Sequence, residues 1–309
     1  MLDRVTSMQV FVRVAALGSF SAAARALHLS QTMVTKHVAA LEERLGVKLL
    51  HRSTRKLVLT EGGRNYLAAC ERILAEIEEA EASASLDRIE PRGVLRLNVP
   101  LTFGFRHVVP ALAEFSRLHP AVSVDLGLAD RYVDLIEEGW DLAIRIGRLK
   151  DSSLVARRLA PCRTVVCAAP AYLKAHGTPE TLEDLSRHNC LGYTLPSAVG
   201  ANRWVFGAEG ETVVPVQGNL RANNGDALLA AALAGQGLIY QPTFLVGDSL
   251  RNGELVPILE QYATYDLAVH AVLPSGRQAP AKVRAFVEFL ARRFAPEPAW
   301  DNGLSLLGL

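Results

Sequence analysis

The residues of this 309-residue chain that could do chemistry fall into groups suited to binding rather than to catalysis. There is no G-x-S-x-G elbow, no H-E-x-x-H pair, no Walker loop and no G-x-G-x-x-G behind a strand. Gly235-Gln236-Gly237 is a lone G-x-G that a tight turn explains. The histidines are scattered, and the pair Glu137-Glu138 reads as solvated helix surface. Cys70, Cys162, Cys167 and Cys190 lack C-x-x-C spacing, which points to reduced, mostly buried thiols rather than a metal site or disulfide framework. The chain is therefore expected not to be an enzyme and to need no metal or cofactor.

The first chemical group is Ser30, Gln31, Thr32, Thr35 and Lys36. Gln31 can pair with an adenine edge and Lys36 with a guanine edge, provided both project from a helix small enough to enter a major groove. The surrounding pattern supplies that helix. Val5, Met8, Phe11, Val12 and Ala15 share one face of a first helix that Gly18 stops. Ser19 and Ser21 offer N-caps for a short helix over Ala22 to Leu27. After the turn His28-Leu29-Ser30, Ser30 can cap a third helix running to about Leu45, closed by Gly46. Val34, Val38, Leu41 and Leu45 lie within one arc and are expected to pack inward. Gln31, Thr32, Thr35, Lys36 and Ala39 lie opposite, a face with fewer long charged side chains than an ordinary solvated one. Two helices joined by a short turn are the helix-turn-helix pattern.

Beyond Gly46, Val47 to Arg52 and Lys56 to Thr60 alternate as strands around a turn at Ser53-Thr54-Arg55. This hairpin would hold Lys48, Arg52, Arg55 and Lys56 as a basic wing able to reach phosphates or a minor groove. Charge supports it. Residues 1–66 carry ten basic against four acidic side chains, a net +6, whereas residues 67–309 carry 23 against 28, a net −5. A basic head on a mildly acidic body suits a phosphate-binding module. Thr60 can cap a long helix from Glu61 to about Leu86. Along it Tyr66, Cys70, Ile73, Ile77, Ala80 and Ala84 form a narrow seam that predicts a partner helix in a second copy, a helix lying on its own body being the other reading. Pro91-Arg92-Gly93 breaks that helix.

The run Phe11-Val12, Gly18-Ser19-Phe20-Ser21-Ala22-Ala23-Ala24, Leu29-Ser30-Gln31, Leu41-Glu42, Leu45-Gly46, Arg52 and Leu59-Thr60-Glu61-Gly62-Gly63 resembles the LysR-type transcriptional regulators, motif by motif and in order. The resemblance implies that Gln31, Thr32, Thr35 and Lys36 sit in the major groove, that Arg52 and Arg55 serve the wing, and that the linker helices pair between subunits. It also implies tetramers assembled through the sensor domains. The chain departs from the family at Thr32 (usually Pro), Thr35-Lys36 (usually Ser-Arg) and Leu50 (usually Phe). Lys lacks the bidentate fork of Arg, so the departures bear on base preference rather than fold.

Strands and helices alternate through the rest of the chain, predicting open α/β sheets. Strands are expected at Val94–Val99, Val122–Leu128, Asp141–Ile146, Leu154–Leu159, Thr164–Ala168, Gly237–Gln241 and Leu267–Leu273. Helices are expected near Arg106–Leu118, Tyr132–Glu138, Pro170–His176, Asp226–Ala234, Thr243–Arg251 and Ala281–Phe294. The family resemblance adds a two-lobed body like a periplasmic binding protein. The expected fold is thus α+β and multidomain: a winged helix-turn-helix at 1–60, a linker helix at 61–90, and an α/β effector domain at 91–309. Its first lobe takes about 91–163 and 268–300, its second about 164–267.

Ligands of open sheets sit beyond the C-terminal strand ends. That rule selects Leu101, Thr102, Phe103, Asp130, Arg145 and Gly147, with Asn223, Asn224, Asp226, Gln241 and Pro242 from the later elements. Thr102 could hold a carboxylate and Arg145 could pair with one bidentately. Plainer roles stand beside these: Arg145 bridging to Asp130 or Asp141, Asn224 and Asp226 capping their helix, and Phe103 in the core. The partners expected are double-stranded operator DNA, a small-molecule effector of unspecified identity and a second copy of the chain, with RNA polymerase as a further partner. No run of about 18 apolar residues suits a membrane. The N-terminus lacks a secretory pattern, so a cytoplasmic protein is expected.

Overall fold

The computed structural model describes residues 2–52, 57–84, 90–148, 155–194, 200, 202–262, 267–274 and 279–304, leaving aside the side chains of 52, 75, 76 and 78–84. They form two compact units, Met1–Ile89 and Glu90–Leu309.

The first unit opens with α1 (Arg4–Leu17), α2 (Phe20–Ala26) and α3 (Gln31–Leu45). Each start is capped by a side-chain oxygen. Asp3 accepts from the Thr6 N–H at 2.7 Å, Ser19 from Ala22 at 3.3 Å and Ser30 from Met33 at 3.2 Å. Helix α2 begins two residues before the expected start, because Ser19 takes the cap and Ser21 only hydrogen-bonds to the Ser19 hydroxyl. Gly18 and Gly46 end α1 and α3 at φ 60° and 69°, where other residues would be strained. Phe11, Val14, Val34, Val38 and Leu41 close the core of this unit. Leu45, expected inside, is exposed at the last turn of its helix.

Strands β1 (Leu50–Arg52) and β2 (Leu57–Leu59) pair antiparallel with Leu50 opposite Leu59. The first strand is shorter than expected, since the Leu49 N–H turns to the Glu42 carboxylate instead of a ladder. The turn at Ser53-Thr54-Arg55 and Lys56 lie outside the described residues. The Thr60 hydroxyl starts α4 (Glu61–Ala84) by accepting from the Gly63 N–H at 2.8 Å, and it donates to the Lys48 carbonyl at 2.7 Å. Only glycine fits at 63, where a Cβ would lie 2.0 Å from the Leu49 carbonyl oxygen. The expected coiled-coil seam is revised over its first half. Tyr66, Cys70 and Ile73 pack on the unit's own core, with the Tyr66 ring 5.7 Å from Phe11. Ile77 is half-buried, and the side chains of Ala80 and Ala84 lie outside the description, as does the expected helix end at Leu86.

The second unit runs β3 (Gly93–Val99), α5 (Leu101–Phe103), a π-helical turn (Gly104–Val108), α6 (Val109–Leu118), β4 (Val122–Leu128), β5 (Leu142–Gly147) and β6 (Val155–Cys162). It continues with β7 (Thr164–Ala168), α7 (Pro170–His176), a 3-10 turn (Glu183–Arg187), β8 (Gly192–Tyr193), β9 (Arg203–Phe206), β10 (Thr212–Pro215), β11 (Arg221–Ala222) and α8 (Gly225–Leu233). The chain ends with β12 (Ile239–Pro242), α9 (Thr243–Arg251), β13 (Val256–Ile258), β14 (Leu267–Leu273) and α10 (Ala281–Phe294).

A five-stranded sheet ordered β4-β3-β5-β14-β6 forms the first lobe. Strand β3 runs parallel to β4 and β5, whereas β14 is antiparallel to β5 and β6. Phe115, Phe286 and Phe289 from α6 and α10 cover one face. The second lobe is built on β12-β7-β13, in which β7 alternates sides: Val166 and Ala168 enter one core, Val165 and Cys167 the other. The expected helix at Tyr132–Glu138 is a turn. The Asp134 carboxylate accepts the N–H groups of Ile136 and Glu137, each at 2.9 Å, which competes with helical pairing. Glu138, expected to be solvated, is gripped by both guanidinium nitrogens of Arg131 at 2.7 and 2.8 Å. The four cysteines are free and buried.

Candidate functional site

On α3 the periodicity has its expected consequence. Val34, Val38 and Leu41 are buried beneath α1, while Ser30, Gln31, Thr32, Lys36 and Ala39 are exposed and Thr35 half-exposed. The side chains of Gln31, Thr32 and Lys36 have no hydrogen-bond or ion-pair partner among the described residues. His37, between Lys36 and Val38, turns inward instead, its Nδ1 2.9 Å from the Ser7 hydroxyl. The helix therefore presents a polar strip with only one long cation, which can approach base edges without steric conflict.

Glu42, which sequence reasoning passed over, fixes where the hairpin leaves this helix. It is only 8% exposed, and its carboxylate accepts from the N–H groups of Leu49 at 3.0 Å and Leu50 at 3.3 Å and from the Lys48 ammonium at 2.7 Å. Burial pushes this carboxyl up, and the three hydrogen bonds outweigh it and hold the group below its ordinary range. Lys48, expected as a wing cation, is thus a partner of Glu42. The sequence carried no clear signal for it, since a helix residue one position beyond a buried one can face either way, as exposed Ala39 beside buried Val38 does. The Arg52 side chain and Arg55 lie outside the described residues.

In the body, several selected residues meet, and they meet one another. The Leu101 N–H donates to Asp130 at 2.8 Å, closing the loop after β3 onto the loop after β4. The Thr102 hydroxyl donates to the Asp226 carboxylate, and Arg106 joins the same carboxylate at 2.8 Å, so residues of the first lobe hold one of the second. Tyr193, from the second lobe, faces Asp130: burial and then that negative charge push its phenol up. Asn224 caps α8 through the Ala227 N–H at 3.2 Å, which sets Asp226 in the first turn. Gln241 is buried with its Oε1 toward Gly225. Gly147 ends β5, Pro242 starts α9 and Asn223 is exposed.

Phe103 lies apart from this group. It has no exposed surface and packs edge-on against Phe244, Phe294 and Trp300 at centroid distances of 5.2, 6.0 and 5.5 Å.

Arg145 makes neither of the bridges considered from sequence. Asp130 is bound to Leu101, and Asp141 to the Arg96 N–H and Lys282. Arg145 instead donates to the Asn98 side chain at 3.0 Å and lies 5.4 Å from the Tyr132 ring centroid. Asn98 is 1% exposed, a polar residue inside the apolar strand β3, and sequence reasoning missed it. Burial works against the charge on Arg145, and no carboxylate among the described residues lies within ion-pair range of it.

An outward polar helix on a winged head, with a two-lobed body that gathers charged residues between its lobes, defines a ligand-responsive DNA-binding regulator. Comparison with known proteins makes the class specific. Residues 5–64 match the bacterial regulatory helix-turn-helix protein, lysR family, and residues 88–295 match the LysR substrate binding domain. An HTH-type transcriptional regulator of Haemophilus influenzae is 36% identical over 283 residues, covering 91% of this chain and 98% of its own. The regulator CrgA of Neisseria meningitidis serogroup B is 37% identical over 285 residues, covering 92% and 94%. The solved structure of CrgA from Neisseria meningitidis superposes with a TM-score of 0.60 at 36% identity, covering 94% of this chain and 98% of that one. The chain belongs to the LysR family of transcriptional regulators, with a helix-turn-helix DNA-binding domain and an effector-binding domain. Members of this family regulate transcription and are not enzymes. Among the described residues no helix is long and apolar enough to cross a membrane.

Proposed function

We propose that the effector of this regulator is a small organic anion bound between the lobes, and that Arg145 recognises it. One observation carries the reading: a half-buried guanidinium, already oriented by Asn98 and stacked with Tyr132, lacks a carboxylate partner among the described residues. A desolvated cation with no carboxylate in direct contact favours an anionic ligand, and arginine favours one with a planar carboxylate. In this reading Thr102, Asp130 and Asp226 would be further polar groups of the site, with the Leu101 backbone, Phe103, Gly147, Asn223, Asn224, Gln241 and Pro242 on the loops and strand ends around it. The test compares thermal shifts of the full-length protein with benzoate and propionate against benzamide and propionamide. The carboxylates raise the melting temperature, the amides do not, and Arg145→Met removes the difference. Equal shifts from acid and amide overturn the reading.

In the head, Ser30, Gln31, Thr32, Thr35 and Lys36 would meet base edges, while Arg52 and Arg55 neutralise flanking phosphates. Dimerisation would use α4 from Ile77 onward, where the apolar spacing continues past the part covered by the unit's own core, to Ala80 and Ala84. Two heads on one duplex match a two-fold operator. In this reading the dimers assemble into tetramers in the cytoplasm, and RNA polymerase is a further contact. Effector binding switches the assembly only by favouring one arrangement over another.

A further inference from the structure

The contact between Thr102, Arg106 and Asp226 has the form of a ligand already bound. Two donors of the first lobe, a nearly buried hydroxyl and a guanidinium, each take one oxygen of the same carboxylate. They stand 124 and 120 residues away from it in the chain. A free carboxylate would be held by the same pair of donors. Among the described residues Arg106 is the one cation within ion-pair range of Asp226, so the charge of Asp226 is answered across the lobes.

We infer that Asp226 is an internal occupant of an anion position formed by Thr102 and Arg106, tying the lobes together until the carboxylate of an effector displaces it. The inference rests on the anionic-effector reading above and adds to it a second anion position, distinct from Arg145, together with its regulation. An intramolecular carboxylate competes at high effective concentration, so the affinity for a free one is lowered by the fraction of molecules in which the tie is closed. The pair is nevertheless half-exposed, with side-chain exposures of 34% for Arg106 and 45% for Asp226, and such pairs are weak enough for a modest ligand to open. Displacement would also free Asp226 and the first turn of α8, giving the second lobe a way to register what has bound.

The experiment uses the full-length protein with acetate as probe and acetamide as neutral control at constant ionic strength. Binding is titrated for the native chain, Asp226→Asn and Asp226→Ala, and hydrogen exchange is followed over residues 101–108 and 225–229. The two Asp226 variants bind acetate about fivefold or more tightly, as expected when a competitor is removed. Both segments exchange faster in the ligand-free variants, and Arg106→Met removes the gain, leaving acetate affinity the same with and without Asp226. Asp226→Asn keeps the side-chain volume, so the test survives if the alanine variant folds poorly. Equal acetate affinity with and without Asp226 overturns the inference, as does unchanged exchange in Asp226→Asn. If Arg145→Met still removes the carboxylate response while Asp226 proves neutral, the anionic effector stands and the internal competitor falls. If acetate binds neither the native chain nor the variants, both fall.

Discussion

In the head, Gln31, Thr32 and Lys36 point away from Val34, Val38 and Leu41, and their side chains have no hydrogen-bond partner among the described residues. In the body, Thr102, Asp130 and Asp226 use theirs on other parts of the same unit. In the proposed reading the contrast follows from what each region would recognise. A duplex is large and outside the fold, so its reading groups sit on a convex helix and wait for it. A small effector enters a concave site, where polar groups left unmatched would be costly, so they satisfy one another until a ligand replaces a partner. Arg145 is intermediate: it is oriented by Asn98, yet no carboxylate among the described residues lies within ion-pair range of it.

The contrast can be broken most forcefully at Phe103, which sequence placed among cleft residues and the structure buries in an aromatic cluster. Phe103→Ala is expected to cost about 3–5 kcal/mol of stability, read by denaturant unfolding. Effector selectivity among molecules that remain folded should be unchanged. A change in selectivity without a loss of stability would move Phe103 back to the cleft.

In the head, Glu42→Ala leaves the Leu49 N–H buried without its partner and should cost about 1–3 kcal/mol. Operator affinity should fall across all sequences as the wing loses its anchor. The effect carries a pH signature. A carboxyl held low in the folded state contributes stability above its unfolded pKa and loses it as pH falls through the folded value. The stability gap between the native chain and Glu42→Gln should therefore be full at neutral pH and close below its ordinary value of 4.5. A gap that widens on acidification would contradict the geometry.

Lys36→Ala and Arg55→Ala sharpen the same comparison within the head. The first should relax preference at one base position by about 1–3 kcal/mol, measured on operator variants. The second should weaken all sequences alike and reduce the salt slope by about one. The smallest expected effect is at the thiols. Burial pushes the Cys190 thiol up to about 12, and Cys162 and Cys167 also upward. Since the thiolate is the reactive form, brief hydrogen peroxide should leave operator binding unchanged. A peroxide-dependent loss that a Cys190→Ser variant escapes would show that the lobe opens at that residue.

Much of the head was legible because its information is local. Caps at Ser19 and Ser30, glycine stops at 18 and 46, and a 3.6-residue period through Val34, Val38 and Leu41 act within a few turns of the chain. Helix α9 over Thr243–Arg251 and α10 over Ala281–Phe294 were legible for the same reason. The short strands β8, β9, β10, β11 and β13 were not, since two to four residues carry no period and pair only where distant segments arrive.

The partners of the cleft residues were also beyond the sequence. Which group Asp226 would bind, whether Arg145 would find a carboxylate, and that Glu42 would anchor a hairpin all depend on contacts between residues far apart in the chain or across a turn. Residue types and spacing determined that this chain has a reading helix and a layered α/β body. Only the tertiary structure decided which charges are answered from within, because three-dimensional packing chooses among many carboxylates and cations that composition makes equivalent.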